Sequence, residues 1–270
     1  MKGTIRLYFF GVGLGIFSIL KLRKINKRIL EMIYLPMNYW RSIETPLILD
    51  SLNPKEGETI LDIGSPKLLS FYLSKKFNVK VIASDVNDYF IDYCNDFSKV
   101  LDFNGSYETK ILDATRLNIK SNSIDKVYAL SVFEHIPKEG DITAMKEVRR
   151  VLKKGGIFLL TIPYGNKFQN EFRNKKRFYY SNNSNLGKND NVFYQRRYDE
   201  VNIYKRIINP SGMKLIKIKY VGEKSKLLSK FSLNLFSFLN LFLSKINHSV
   251  PSEELNKIKN LSMVFLVFRK

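Results

Sequence analysis

The sequence predicts an α/β protein built on a parallel sheet, and three observations carry that prediction. From Thr59 onward, short apolar runs alternate with longer amphipathic stretches, the pattern of repeated β-α units. Polar residues or glycine stand directly after those runs, where an open parallel sheet places its ligand crevice. The chain has 270 residues with 44% hydrophobic and 26% charged content, enough for one large globular domain or two small ones. That composition excludes a disordered, collagen-like or disulfide-stapled protein.

The N-terminal arm, residues 1–44, comes first. Its apolar run Leu7-Tyr-Phe-Phe-Gly-Val-Gly-Leu-Gly-Ile-Phe-Ser-Ile-Leu20 is followed by Lys21, Arg23, Lys24, Lys27 and Arg28. The run is shorter than the roughly 20 residues a bilayer crossing needs. It also lacks the charge order and small-residue cleavage site of a secretory signal. Three readings stand: a short membrane-dipping anchor favoured by the basic cluster, a mobile tail, or a helix packed on the core.

Five strands are expected next, at Thr59–Ile63, Val79–Ser84, Glu108–Leu112, Lys126–Leu130 and Gly156–Ile162. Between the last two, Ile142, Met145, Val148 and Leu152 recur at helical spacing, so a helix is expected over Asp141–Leu152. Asp141 at its start suits the helix dipole, and Lys153, Lys154 and Gly155-Gly156 suit its end.

The residues after each strand carry the functional weight. Asp62 and Gly64 end the first, Asp85 the second and Asp113 the third, while Ser131 to His135 follow the fourth. Asp85 stands about 20 residues beyond the first turn, the place of an acid that accepts hydrogen bonds from ribose hydroxyls. The alternative for Asp85 and Asp113 is a carboxylate that caps the following helix.

Six fragments now stand in a recognisable order: Ile60-Leu-Asp-Ile-Gly64, Ile82-Ala-Ser-Asp85, Leu112-Asp-Ala-Thr-Arg-Leu117, Ser123-Ile-Asp-Lys-Val127, Ser131-Val-Phe-Glu-His-Ile136 and Glu147-Val-Arg-Arg-Val-Leu-Lys-Lys-Gly-Gly156. Together, over residues 45–165, they resemble a class I S-adenosylmethionine-dependent methyltransferase with a type 11-like methyltransferase domain. The resemblance implies a Rossmann-like, seven-stranded, mostly parallel sheet with flanking helices and an antiparallel last strand. Lys214–Val221 and Leu261–Phe268 are the candidates for its final two strands. It also implies S-adenosyl-L-methionine as cofactor. Asp62 and Gly64 would frame its methionine end, Asp85 its ribose, Asp113 and Ala114 its adenine, and Ser131 would flank it at the fourth strand.

The chain departs from that pattern after Asp62-Ile-Gly64, where the family places two more glycines at alternating positions and this sequence reads Ser65-Pro66-Lys67-Leu68. Proline has no N–H and leucine has bulk, so the loop loses the permissive backbone that admits a close ligand. Either the turn keeps a negative-φ path and still takes the cofactor, or the domain no longer binds it.

Methyl transfer is an in-line displacement, accelerated by holding acceptor and methyl aligned in a dry site. A base helps if the acceptor is a hydroxyl, and His135 is the candidate, with a structural role in the loop as its alternative. Tyr164 is a second candidate for the acceptor pocket. With a single cysteine, Cys94, and only His135 and His248, neither a disulfide nor a Cys/His zinc cluster is expected, and no metal is assigned. A reducing, cytoplasmic setting follows.

Residues 166–270 complete the same domain. Asn166–Arg197, with Lys175-Lys-Arg-Phe-Tyr-Tyr180 and Gln195-Arg-Arg-Tyr198, interleaves basic and aromatic residues. Such a stretch suits single-stranded nucleic acid, a phosphate or a sugar. The resemblance implies an acceptor-facing loop here, with Arg196 and Arg197 as its candidate contacts. A helix is expected over Asp199–Asn209. The insert Lys224–Asn247 reads as an amphipathic helix, with Leu228, Phe231, Leu235, Phe238, Leu239, Phe242 and Ile246 on one face and Lys230, Asn234, Ser237 and Ser244 on the other. It suits a membrane interface, or burial against the domain or a second subunit.

The net charge of +20 is uneven. Residues 1–50 hold 8 basic and 3 acidic side chains, residues 51–165 hold 16 and 15, and residues 166–270 hold 21 and 7. The expected core is balanced and the flanks are basic, which favours an anionic membrane surface or phosphorylated acceptor over nucleic acid. A methyltransferase for a small-molecule, sugar or lipid-linked acceptor, peripheral to a membrane, is the reading this supports. An RNA methyltransferase and a non-catalytic binding protein of the same fold are its alternatives.

Overall fold

A computed structural model describes residues 2–64, 67–103, 105–174, 191–225 and 237–270. Strands β1 (Thr59–Ile63), β2 (Lys80–Asp85), β3 (Ser106–Ile111), β4 (Ile124–Leu130) and β5 (Leu152–Pro163) pair in parallel in the order β3-β2-β1-β4-β5. Two more strands, β6 (Gln169–Asn174) and β7 (Asn191–Arg197), form a separate antiparallel hairpin. Strand β8 (Lys214–Gly222) lies at the sheet's far edge, and β9 (Leu261–Arg269) runs antiparallel between β5 and β8. The seven-stranded sheet with its reversed last strand is the one the resemblance implies, and both C-terminal candidates become strands. The Asn166–Arg197 stretch is not simply a loop, since its described ends are the two arms of the hairpin.

Strand alternation divides the core in two. Leu61, Val127, Phe158 and Leu160 face one side, where α6 (Gly140–Val151) covers them with Ala144, Met145, Val148 and Val151. Ile60, Tyr128, Leu130 and Leu159 face the other, under α1 (Lys2–Leu22), α2 (Lys27–Tyr34), α3 (Arg41–Leu52), α4 (Lys67–Lys76) and α5 (Tyr89–Ser98). Period-two burial of strands that carry helices on both sides is what fixes this three-layer architecture.

The N-terminal arm is part of this second layer. Leu7 and Leu14 of α1 and Ile29 and Met32 of α2 belong to the core, so the packed-helix reading holds over the mobile tail. Helix α3 runs across residues 44 and 45, joining the arm to the sheet. Beyond β7, the expected helix is broken into α7 (Glu200–Ile203), a π-helical turn Tyr204–Ile208 and α8 (Asn209–Ser211), ended by Gly212 with a left-handed backbone. The described part of the insert is α9 (Ser237–Asn247); Leu228, Phe231 and Leu235 lie outside the described residues, as do Ser65, Pro66 and Lys175–Tyr180.

Candidate active site

The carboxyl ends of β1 to β4 open into a cavity of about 1260 Å³. Six of the residues expected there share its wall: Gly64, Asp85, Asp113, Ala114, Ser131 and His135. Gly64 has φ +60°, and a Cβ there would come within 2.9 Å of Val132, so the turn after β1 closes against the end of β4 only with glycine.

Asp62 is placed differently. It is fully buried behind the wall, where Lys67 Nζ lies 3.4 Å from its carboxylate and donates to the Ser84 carbonyl at 2.8 Å. Lys67 is itself buried, with its ammonium 5.2 Å from the Phe90 ring centre. A buried charge needs a partner, and the carboxylate expected at the cofactor's methionine end is instead bound to this lysine. That pairing rests on Lys67, inside the stretch where the sequence departs from the family's glycines.

The second and third strand ends remain available. Asp85 accepts from the Asn87 N–H and side-chain amide through Oδ1 at 3.1 and 3.3 Å, and both residues line the cavity. Asp113 uses Oδ1 to accept from the Thr115 N–H and hydroxyl at 2.8 and 2.7 Å, closing the turn after β3. Each carboxylate thus fixes its own turn with one oxygen, and Asp85 does not cap the following helix, which starts behind Asp88. Ile63, Val86, Leu112, Val132 and Ile136 supply apolar wall beside these acceptors. Acceptors for hydroxyls next to an apolar slot are the chemistry a nucleoside needs, so the residues present fit the adenosyl part of S-adenosylmethionine.

Ser131 is held from an unexpected direction. Its backbone is left-handed, at φ +49°, and its N–H donates to the Thr161 carbonyl at 3.0 Å. Its hydroxyl donates to Glu44 of α3, which also accepts from the Thr161 hydroxyl at 2.8 Å and pairs with Arg41. Arg41 in turn donates to the Leu130 carbonyl at 3.0 Å. Arg41 and Glu44 were not among the expected site residues. Their signal was local, a basic-acidic pair three positions apart ahead of an apolar stretch, which reads equally as a solvated helix start.

His135 stands at the cavity mouth with Nδ1 2.7 Å from the Tyr194 carbonyl. A carbonyl only accepts, so Nδ1 carries the proton and Nε2 keeps the lone pair. Burial, with Arg41 and Arg173 adding positive charge nearby, holds the ring's pKa below its usual value. The neighbouring Glu134 carboxyl is buried and raised to about 8, chiefly by desolvation, with the charge of Glu44 adding to it. Its Oε1 lies 3.8 Å from His135 Nε2.

The opposite wall comes from the hairpin. Asn191, Val192, Phe193 and Tyr194 of β7 face the cavity together with Lys138 and Thr143. The Arg173 guanidinium of β6 stacks 3.5 Å from the Tyr194 ring centre. Tyr164, Arg196 and Arg197 are not on this wall. Tyr164 is buried against Tyr220, with ring centres 5.2 Å apart. Arg196 is buried and donates to the Ile136 and Lys138 carbonyls at 2.7 and 2.8 Å, while pairing with Asp141 at 3.2 Å. Its guanidinium pins the hairpin to the loop after β4. Arg197 lies along Gly165, where a Cβ would come within 2.8 Å of its side chain. Neither arginine lines the cavity.

The sheet order, the reversed last strand and a crevice at the strand ends define the class I methyltransferase architecture. Residues 61–160 match the family model described as a methyltransferase domain. Among solved structures, a S-adenosylmethionine-dependent methyltransferase from Methanosarcina mazei aligns with a TM-score of 0.55 at 16% identity, covering 83% of this chain and 97% of its own. One from Archaeoglobus fulgidus aligns at 0.53 and 16%, covering 86% and 94%. Geranyl diphosphate C-methyltransferase from Streptomyces coelicolor aligns at 0.52 and 10%, covering 90% and 80%. At these identities the structures establish the likeness of fold. No curated protein matches in sequence. Residues 61–160 thus carry a methyltransferase domain, in a fold shared with S-adenosylmethionine-dependent methyltransferases.

Proposed function

We propose that this enzyme methylates a small-molecule, sugar or lipid-linked acceptor at a membrane surface, as a cytoplasmic protein. The size and two-sided lining of the cavity carry the acceptor reading. A pocket for one drug-sized ligand occupies roughly 300–1,000 Å³. The 1260 Å³ here leaves room for a second molecule between the nucleoside-binding wall and the hairpin.

S-adenosylmethionine, when bound, supplies an electrophilic methyl group. Asp85 would hold its ribose, and Asp113 with Ala114 its adenine. Tyr194 and Phe193 cover the acceptor and exclude water, which aligns acceptor and methyl. Where the acceptor atom carries a proton, His135 takes it at Nε2, since Nδ1 is committed to Tyr194. A hydroxyl acceptor would lose that proton as its oxygen takes the methyl carbon and the methyl–sulfur bond breaks, its electron pair staying on the departing thioether sulfur.

Calorimetry with S-adenosylmethionine tests the reading on the wild type and Asp85→Ala. Loss of the ribose acceptor is expected to weaken binding by roughly ten- to a hundredfold, the effect of one charge-assisted hydrogen bond. No heat with the wild type overturns the proposal. Equal binding by both proteins removes Asp85 from the site.

A further inference from the structure

Helix α9 packs inside out. Its polar residues Asn240, Ser244 and Asn247 are buried against the protein, while Phe238, Leu239, Phe242 and Ile246 each keep more than half of their surface exposed. The inward side is anchored by specific bonds. Asn247 donates through its amide to the Tyr39 hydroxyl at 2.7 Å and to the Ser225 carbonyl at 2.9 Å, and accepts from the Ser225 N–H at 2.8 Å. Water alone would favour the opposite orientation. These bonds therefore hold an apolar face outward.

Helix α1 repeats the arrangement beside it. Thr4, Leu7, Tyr8, Leu14, Gly15 and Ser18 turn inward, and a Cβ on Gly15 would come within 2.5 Å of Ile33, so the small residues allow α2 to pack closely. Ile5, Phe9, Ile16, Phe17 and Leu20 turn outward and stay exposed. Inward-turned Tyr8 meets Phe238 of α9 edge to face at 5.8 Å, which brings the two helices into contact.

The charges around these faces are mostly basic, although Lys24 pairs with Asp96 at 3.9 Å, Lys27 with Glu31 at 3.8 Å and Arg28 with Asp96 at 3.6 Å, which leaves Arg6, Arg23 and Lys245 without a salt bridge among the described residues. The first 30 residues contain seven Lys and Arg and no Asp or Glu, and α9 contributes Lys245 with no acid. Arg6, Arg23, Lys24, Lys27 and Lys245 are exposed. Bare apolar surface rimmed by cations complements an anionic bilayer, whose acyl region takes the rings and whose headgroups take the lysines.

We infer that α1 and α9 together form a bilayer-docking face, on which the protein lies without crossing the membrane. Gly3–Leu22 is long and apolar enough by composition to cross, but 33% of it is buried inside the protein. Withdrawing α1 into a bilayer would uncover the core around Ile29, Met32 and Leu68. This deepens the membrane part of the proposed function and stands apart from methyl transfer.

The test is flotation of the full chain with phosphatidylcholine vesicles, with and without phosphatidylglycerol. Binding is expected to the anionic vesicles, weaker to the neutral ones, and reversed by alkaline carbonate. Phe9→Asp/Phe17→Asp and Phe242→Asp/Ile246→Asp are each expected to weaken it at least about tenfold, the effect of withholding large apolar side chains from lipid. Their unfolding transitions should match the wild type. Wild type alone gives a second readout: Trp40, the single tryptophan, lies 5.7 Å from His248 next to α9, and brominated lipid should quench its fluorescence.

Absence of flotation and quenching overturns the inference, as do folded variants that bind like wild type or a wild type that resists carbonate. A stable wild-type dimer split by the same substitutions assigns the face to a second copy and overturns it too. S-adenosylmethionine calorimetry without lipid separates the two proposals. Cofactor binding with no flotation sinks only the docking face, and flotation with no cofactor binding sinks only the methyl-transfer reading.

Discussion

Helices α6 and α9 are both amphipathic, and they are mounted in opposite senses. Helix α6 buries Ala144, Met145, Val148 and Val151 on the sheet. Helix α9 buries Asn240, Ser244 and Asn247 and leaves Phe242 60% exposed. The pattern along each helix says only that it has two faces. What the helix rests on decides which face turns inward. Under α6 lie Val127, Phe158 and Leu160, which have no polar group to offer. Under α9 lie the Tyr39 hydroxyl and the polar backbone of Ser225, with Glu223 a further 3.4 Å from Tyr39.

Placing the same charge on the apolar face of each helix gives the largest contrast. Val148→Asp puts a carboxylate with no partner into the core, a loss of several kcal/mol that leaves little or no folded protein. Phe242→Asp meets water and should change stability by no more than about 0.5 kcal/mol. Urea unfolding of the two variants measures both. Comparable losses would show that the apolar face of α9 is packed.

The inward side of α9 gives the next effect. Asn247→Leu leaves the Tyr39 hydroxyl and the Ser225 N–H without the partner they now share. The expected loss is roughly 1–3 kcal/mol, although the new side chain is more apolar. A neutral or stabilising result would mean that the polar contacts do not determine the helix's orientation.

The same distinction between pattern and support explains what the sequence disclosed. The α/β core was legible because its central strands are short apolar runs buried almost throughout, and α6 follows a helical period. Strand-end residues were legible as a set, since parallel strands bring their carboxyl ends to one edge, and Gly64, Asp85, Asp113, Ala114, Ser131 and His135 do meet on the cavity wall. Asp62 was not, because its contact with Lys67 depends on how a non-glycine turn folds. Glu44 reaches Ser131 across 87 residues of sequence, a pairing with no periodic trace. Arg196 carried a charge that suited a ligand, but the carbonyls of Ile136 and Lys138 and the carboxylate of Asp141 take it up.

Asn247 and Glu134 extend the comparison to buried polar groups with and without support. Asn247 is bonded through both its oxygen and its amide, whereas Glu134 is buried with no hydrogen-bond partner for Oε2 among the described residues. Desolvation raises the Glu134 carboxyl from 4.5 to about 8. A raised folded-state pKa means that the folded protein holds this proton more tightly than the unfolded chain does. The resulting stabilisation is fully present below the unfolded pKa and is lost as pH rises towards 8. The histidines act in the other direction: half-buried His248 is lowered to about 4, so its contribution is present above 6.5 and lost as pH falls towards 4. Subtracting Glu134→Gln from the wild type cancels His248 and isolates the carboxyl together with its neighbour His135. Between about pH 5 and pH 8, the wild-type unfolding temperature should fall relative to the variant by an amount corresponding to roughly 1 kcal/mol or more. Parallel curves would mean that Glu134 ionises at its ordinary value and that a cation, Arg41 or Arg196, supports it as fully as Tyr39 and Ser225 support Asn247.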